Sequence, residues 1–162
     1  MDKLRGLLKH LFRMVMLFVL VGVIYCVIEI LYRGYSHWSM FLLAGFLGVF
    51  CIDMPNNIYS FGLDYRWQVL ISTILCTIGE GLCGLYVNVY KGWEIWNYSS
   101  LPFSFCHDQV NLFFIFAWAL LIGLIGIPFC DWVNYVIFKI DPAPYYQIKG
   151  KVFLRFPERK IK

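Results

Sequence analysis

The chain has 162 residues, of which 60% are hydrophobic and 20% aromatic, and this excludes an ordinary soluble domain, since such domains are only about half apolar. Its long unbroken apolar runs exclude a β-barrel, whose strands would appear as short alternating segments. The net charge of +4 comes from basic residues at the two ends of the chain. We therefore expect the lipid bilayer as a partner, and no nucleic acid, because aromatic and basic residues do not interleave on any exposed segment long enough to follow a nucleic-acid backbone.

The six cysteines show no pattern typical of a metal site or of a disulfide framework. No two are spaced as C-x-x-C, and five lie in apolar runs, where cysteine is a small buried hydrophobe. Cys106, His107 and Asp108 have metal-ligand chemistry, but three adjacent residues do not usually converge on one ion. The sequence therefore indicates no metal and no cofactor, and no residue is predicted to be catalytic.

The first segment, 1–13, is amphipathic and basic and precedes the first predicted membrane helix, 14–33. Its leucines share one helical face while its basic residues lie mostly elsewhere, which is typical of an interfacial anchor on the cytoplasmic side. The first apolar run has no small-residue cleavage site, so we expect it to be retained. Near its end, Glu29 and Arg33 are four residues apart and can form an ion pair or belong to a site.

The second predicted helix, 38–54, is short and contains the spacing Ala44-x-x-x-Gly48, which permits close approach of a neighbouring helix. Asp53 is interpreted as a solvated residue at the end of this helix. The polar segment 55–66 is interpreted as a loop.

The third predicted helix, 67–90, carries Glu80 in a membrane-length apolar run. A carboxylate in hydrocarbon costs at least about 2.5 kcal/mol, so Glu80 is a candidate functional residue by default. Thr73 and Thr77 share its helical face, and three glycines around it leave room for a helix, a water or a ligand. The alternative is a protonated Glu80 that is hydrogen-bonded to a neighbouring helix.

The longest outer connection, 91–109, is rich in aromatic residues, including Trp96 and Tyr98. Pro102 favours an irregular and partly re-entrant path, and a plain aromatic belt at the membrane surface is the competing interpretation. The connection ends with two exposed titratable groups, His107 and Asp108.

The fourth predicted helix, 110–130, contains Pro128, which predicts a kink or local unwinding, and Asp131 should mark the interface. Residues 139–162 form a basic tail whose segment 145–156 can form a small hairpin or adhere to anionic lipid, with adhesion slightly favoured. Basic residues are few in the two connections that follow helices one and three. The prediction is an all-α, polytopic four-helix transmembrane bundle over 14–138, with both termini cytoplasmic.

In this topology Glu29 and Glu80 both lie beyond the midpoints of their helices and can face one outer-leaflet pocket. Two carboxylates in a low dielectric cannot both ionise easily, which suits proton coupling. If they do not meet, Glu29 pairs with Arg33. The candidates for ligand binding or proton coupling are Glu80, Glu29, Arg33, Trp96, Tyr98, His107 and Asp108.

Several short pieces of the sequence carry a family resemblance: IEILYRG at 28–34, HWSM at 37–40, Glu80 within TIGEGLCG, WNYS at 96–99, LPF at 101–103, and Gln109-Val110 with Trp118. Together they resemble the small bacterial membrane proteins described as ABC-transporter type IV permeases, over roughly residues 20–135. The resemblance implies a multi-pass protein of the bacterial inner membrane that is associated with transport. The chain departs from the family pattern after Pro102-Phe103, where Ser104 replaces an Asn and no Gly follows.

Three functions remain open at this point. The leading one is a permease-like or transport-associated subunit with a polar pocket around Glu80, acting with a partner membrane subunit or as a homo-oligomer. The second is a non-catalytic scaffold or interaction protein, such as an immunity or mobile-element component. The third, a membrane enzyme acting on lipid-linked substrates, lacks a nucleophile, metal or phosphate motif. The sequence therefore favours a protein without enzymatic activity.

Overall fold

The computed structural model describes residues 2–59 and 61–159. Four helices follow one another along the chain: α1 (Asp2–Arg33), α2 (Trp38–Tyr59), α3 (Tyr65–Tyr90) and α4 (Leu112–Ile137). Each contains a stretch long and apolar enough to cross a membrane. The four predicted membrane-length helices are thus confirmed, but the fold is mainly helical rather than all-α, since it also contains two short strand pairs. Insertion into a membrane and the side on which the termini lie stay predictions.

The helices extend beyond several predicted boundaries. Residues 2–13 are continuous with the first predicted membrane helix, and their leucines remain exposed. Helix α2 continues through Pro55 to Tyr59, where the sequence predicted a loop, and α4 continues to Ile137. A proline near a polar stretch was interpreted as a helix end, but buried partners further along the chain hold these helical turns in place.

Helices α1 and α2 pack closely through glycines on both sides. A Cβ added at Gly22 would lie 2.8 Å from the carbonyl oxygen of Phe41, and one added at Gly45 would lie 2.8 Å from that of Phe18. A Cβ added at Gly48, which belongs to the predicted Ala44-x-x-x-Gly48 spacing, would lie 2.6 Å from Cγ1 of Val21. The predicted close packing at small residues is confirmed, with Gly22 and Gly45 also taking part.

Wide π-helical turns interrupt three of the four helices. They cover Leu47–Asp53 in α2, Leu85–Tyr90 in α3, and both Ile122–Gly126 and Val133–Ile137 in α4. The first π-helical segment of α4, Ile122–Gly126, lies just before Pro128, in agreement with the local unwinding predicted there. Such turns change the helical period, so side chains beyond them face a different direction from the one that a regular helix would give.

Two short antiparallel strand pairs complete the fold. Within the outer connection, β1 (Ser104–Phe105) pairs with β2 (Val110–Asn111). In the tail, β3 (Tyr145–Ile148) pairs with β4 (Lys151–Arg155), so the hairpin alternative is observed, while adhesion to lipid stays a prediction. Tyr146 of this hairpin is only 1% exposed and packs against Tyr65 at 4.7 Å between ring centroids.

The beginning of α1 and the end of α4 lie at the same end of the bundle. Phe12 and Phe138 have ring centroids 6.1 Å apart, and Arg13 donates a hydrogen bond to Asn134. We call this the terminal end. The opposite end, which carries the connections 34–37 and 91–111, is called the loop end.

Candidate functional site

Glu80 lies in α3 and is enclosed by hydrogen-bond donors from two other parts of the chain. Its Oε1 accepts a hydrogen bond from the Tyr98 hydroxyl at 3.1 Å, and its Oε2 accepts one from the Trp118 indole N–H at 2.8 Å. The residue is 6% exposed. Glu80 therefore connects α3 to the outer connection and to α4.

The two donors are themselves held by aromatic stacking. Trp118 stacks on Tyr25 of α1 with centroids 5.6 Å apart, and Tyr98 stacks on Phe114 of α4 at 4.6 Å. Burial, and secondarily the charge of Glu80, raise the pKa of Tyr98 well above its usual range, so the hydroxyl remains a donor at physiological pH. Stacking thus fixes the donor on each side of the Glu80 carboxylate.

Asn88 organises the outer connection, and sequence reasoning missed it. Its Nδ2 donates to Gln109 Oε1 at 2.6 Å and to the carbonyl of Trp96 at 2.9 Å, and its Oδ1 accepts from the N–H of Ile95 at 2.8 Å. The Trp96 indole N–H donates to the carbonyl of Gln109 at 3.1 Å. Trp96 and Tyr98 thus turn toward the inside of the bundle.

The remaining aromatic residues of the connection stay at the surface. Trp93, Phe103 and Phe105 are between 45% and 67% exposed. The connection therefore has two inward side chains, Trp96 and Tyr98, and an exposed aromatic rim, while its position relative to the membrane stays a prediction.

Glu29 pairs with Arg33, as the four-residue spacing predicted. Arg33 Nη2 lies 2.6 Å from Glu29 Oε1, the hydroxyl of Ser36 donates to Oε2, and Arg33 Nη1 donates to the carbonyl of Ile95 at 3.1 Å. No hydrogen bond joins Glu29 to Glu80 among the described residues. Each glutamate has its own partners, which is the outcome expected if the two do not share a pocket.

His107 and Asp108 contribute to the loop through their backbone. The His107 carbonyl accepts a bond from Gln109 Nε2, and the Asp108 carbonyl accepts one from the N–H of Tyr98, both at 2.9 Å. The side chain of His107 is exposed, and neither side chain reaches Glu80 by a described hydrogen bond. With Cys106 they form three successive residues at φ of 54° to 59°, a conformation that favours glycine, which this loop lacks.

The two threonines predicted to share the face of Glu80 do not extend its hydrogen-bond network. Thr73 donates to the carbonyl of Val69 in its own helix at 2.7 Å. The hydroxyl of Thr77 is buried and has no hydrogen-bond partner among the described residues. Their position on α3 is as predicted, but the polar site is made by Tyr98 and Trp118.

A second polar cluster, at the terminal end, corrects the interpretation of Asp53 as a solvated end residue. Asp53 is 1% exposed, and its Oδ2 lies 2.9 Å from Nη1 of Arg13, which is 7% exposed. Asn134 joins them, accepting from Arg13 at 2.8 Å and donating to Asp53 Oδ1 at 2.7 Å. The usable signal was that Arg13 and Asp53 come at matching depths of two antiparallel helices.

Asp131 is likewise buried within the protein, and its predicted position at the membrane interface stays a prediction. It is 2% exposed, with Oδ1 accepting from Asn56 Nδ2 at 2.8 Å and Oδ2 accepting from the Tyr146 hydroxyl at 2.7 Å. These bonds join α2, α4 and the tail hairpin. Tyr146 belongs to a segment that was predicted to lie on lipid, so no local pattern could have identified this partner.

The described residues contain no group of three or more His, Cys, Asp or Glu side chains that could hold a metal ion. No family model, no curated protein and no solved structure matches the chain. The resemblance to type IV permeases therefore stays a prediction.

Proposed function

We propose that this protein is a non-catalytic membrane subunit in which Glu80 fastens the connection 91–111 onto the loop end of the bundle. The observation that carries the proposal is that both carboxylate oxygens of Glu80 already accept hydrogen bonds from within the chain, at 6% exposure. A glutamate arranged in this way stabilises a closed connection. The aromatic rim made by Trp93, Phe103 and Phe105 then forms a fixed surface for a second copy or a partner membrane subunit.

A transport-associated role is the second candidate, and one observation favours it. Glu80 is hydrogen-bonded by a hydroxyl and an indole N–H, both of which are neutral. A cation or a proton could therefore neutralise this carboxylate, with Tyr98 moving aside together with its connection. The resemblance to permeases adds to this candidate.

Replacing Glu80 by Leu tests the proposal. The change leaves the Tyr98 hydroxyl and the Trp118 N–H without their acceptor, and each buried unpaired group costs about 1–3 kcal/mol. We expect the protein in nanodiscs to unfold at a lower temperature and the amides of 91–111 to exchange faster. Glu80→Gln keeps one acceptor oxygen and should have a smaller effect.

Glu94→Gln is the matched control, because Glu94 is an exposed glutamate in the same connection. Unchanged exchange in Glu80→Leu would contradict the fastening role. If Glu80→Gln instead abolished a proton-coupled flux in proteoliposomes and left the exchange of 91–111 unchanged, the transport-associated candidate would replace the first.

A further inference from the structure

A cavity of about 240 Å³, lined by both polar and apolar residues, lies at the terminal end, away from the Glu80 cluster. Its lining comes from the end of α2, the end of α4 and the first residues of the tail. The polar lining residues used below are Asn56, Asp131, Tyr135 and Asp141. The cavity is large enough to hold a small organic group.

The backbone around this cavity favours positive charge. Helices α2 and α4 both end beside it, at Tyr59 and Ile137, and the carboxyl end of a helix carries a partial negative charge of about half a unit. Two such ends at one cavity attract a cation and repel an anion.

Among the described residues, the side chains around it leave one carboxylate without a cationic partner. Arg13 is paired with Asp53, and Arg159 is paired with Asp141 at the rim. Within residues 2–59 and 61–159, Asp131 accepts side-chain hydrogen bonds only from the neutral donors Asn56 and Tyr146. A cationic ligand in the cavity would neutralise the charge of the Asp131 carboxylate.

Two further details point to an organic cation that carries hydrogen-bond donors. The guanidinium of Arg159 lies 4.4 Å from the centre of the Tyr135 ring, so one cation of the chain already sits on a ring that lines the cavity. The Oδ1 of Asn56 is buried and accepts no hydrogen bond from any described residue. An ammonium group has three donors and can satisfy both Asn56 and Asp131.

We propose that this cavity binds a small ligand carrying a protonated primary amine, with the ammonium bound between Asp131 and Asn56. The cavity volume greatly exceeds that of a bare ion, and residues 2–59 and 61–159 contain no cluster of three or more His, Cys, Asp or Glu side chains that could hold a metal ion. The amine can belong to a free small molecule or to the ethanolamine headgroup of a phospholipid. The same ammonium chemistry serves both sources.

The test uses the full chain in phosphatidylcholine nanodiscs and measures the binding of ethanolamine by calorimetry. In a second arm, phosphatidylethanolamine replaces part of the phosphatidylcholine, and bound lipid is detected by native mass spectrometry. Binding in the first arm identifies a free amine as a ligand, and enrichment in the second identifies the headgroup. N-acetylethanolamine, which is uncharged, should not bind.

Asp131→Asn keeps an acceptor for Tyr146 and removes the charge, so we expect about tenfold weaker binding or more. Asp108→Asn, at the loop end, should bind as the unaltered protein does. Equal binding of ethanolamine and its acetylated form, no binding in either arm, or unchanged affinity in Asp131→Asn would each overturn the proposal. If Asp131→Asn fails to fold, the comparison of the two ligands on the unaltered protein still decides. None of these outcomes depends on Glu80, so the result is independent of the fastening role.

Discussion

At the scale of single residues, the buried carboxylates are satisfied in two different ways. Asp53 has a cationic partner, Arg13, with Asn134 completing the hydrogen bonds. In the part of the chain that the structure describes, Glu80 and Asp131 have only neutral donors as hydrogen-bond partners. Since charge is expensive in a low dielectric, the first arrangement compensates the charge of the carboxylate within the chain, and the second supplies hydrogen bonds without a compensating charge.

The Arg13–Asp53 pair is expected to be sensitive to the loss of one partner. Arg13→Met leaves Asp53 buried and without a cation, which should lower the free energy of unfolding in detergent by about 3–5 kcal/mol. Replacing all three members by apolar residues, as Arg13→Met, Asp53→Leu and Asn134→Leu together, should recover most of that loss. A triple variant as unstable as the single one would contradict this explanation.

At the scale of elements, the wide helical turns and the glycines place the polar clusters. Asp53, Asn88 and Asn134 all lie within π-helical segments, where the changed period turns them toward the inside of the bundle. Gly84, at the last regular turn of α3, lets the connection approach the helix. The loop end is therefore closed by backbone geometry as well as by Glu80.

Gly84→Ala should open the loop end. The added Cβ would lie 2.8 Å from Gln109 Cβ and 3.0 Å from the Trp96 ring, so the connection must shift at a cost of about 1–3 kcal/mol. Tryptophan fluorescence and amide exchange of 91–111 would report the shift. Gly6→Ala is the control, because nothing lies within 4 Å of its added Cβ, and it should leave both readouts unchanged.

The tail hairpin is attached through Asp64, and this attachment should depend on pH. Asp64 Oδ2 accepts a hydrogen bond from the N–H of Lys149 at 2.7 Å. The Arg66 side chain, and then this N–H, hold the pKa of Asp64 well below its usual range. Because the folded-state pKa is depressed, the stabilisation is present above the ordinary value of about 3.9 and is lost as the pH falls below it through the folded-state value.

We expect Asp64→Asn to speed amide exchange in 145–155 at neutral pH, and the difference from the unaltered protein to shrink in strong acid. Glu158→Gln serves as the control, since the Glu158 side chain is 80% exposed and only 3.9 Å from its partner Arg155. A difference in exchange that grew toward low pH would reverse the sign and exclude this role for Asp64.

At the scale of the whole molecule, the bundle has two chemically different ends. The loop end carries the aromatic rim, and the terminal end carries the hairpin and most of the basic residues of the chain. The basic end of such a bundle is expected to face the cytoplasm. Cys106 offers a direct test, because it is exposed at the loop end while the other five cysteines, all within the described ranges, are buried or half-buried.

A membrane-impermeant maleimide added to intact cells should label Cys106 and should fail to label a Cys106→Ser variant. Lys149→Cys in that Cys106→Ser background, placed at the tip of the tail hairpin, should be labelled only after the membrane is made permeable. Labelling of position 149 in intact cells would reverse the predicted orientation.

Several features of the loop end could be predicted because the sequence patterns that indicate them involve residues close together in the chain. Glu29 and Arg33 pair within one helix at the expected spacing, and Glu80 stood out as a carboxylate in an apolar run. Asn88 gave no comparable signal, since an amide near a helix end is common and its partners Gln109 and Ile95 lie in irregular backbone. The role of Tyr98 required knowing that its connection turns inward.

The sequence by itself determined the number, order and approximate length of the membrane helices, because the length of an apolar run is a property of contiguous residues. It also determined that Glu80 needs a partner. Only the tertiary structure decided which partner each buried charge has, since Arg13 bonds to residues 40 and 121 positions away. Those choices depend on how the helices pack and on wide turns that change their period, and neither is readable from a regular helical pattern.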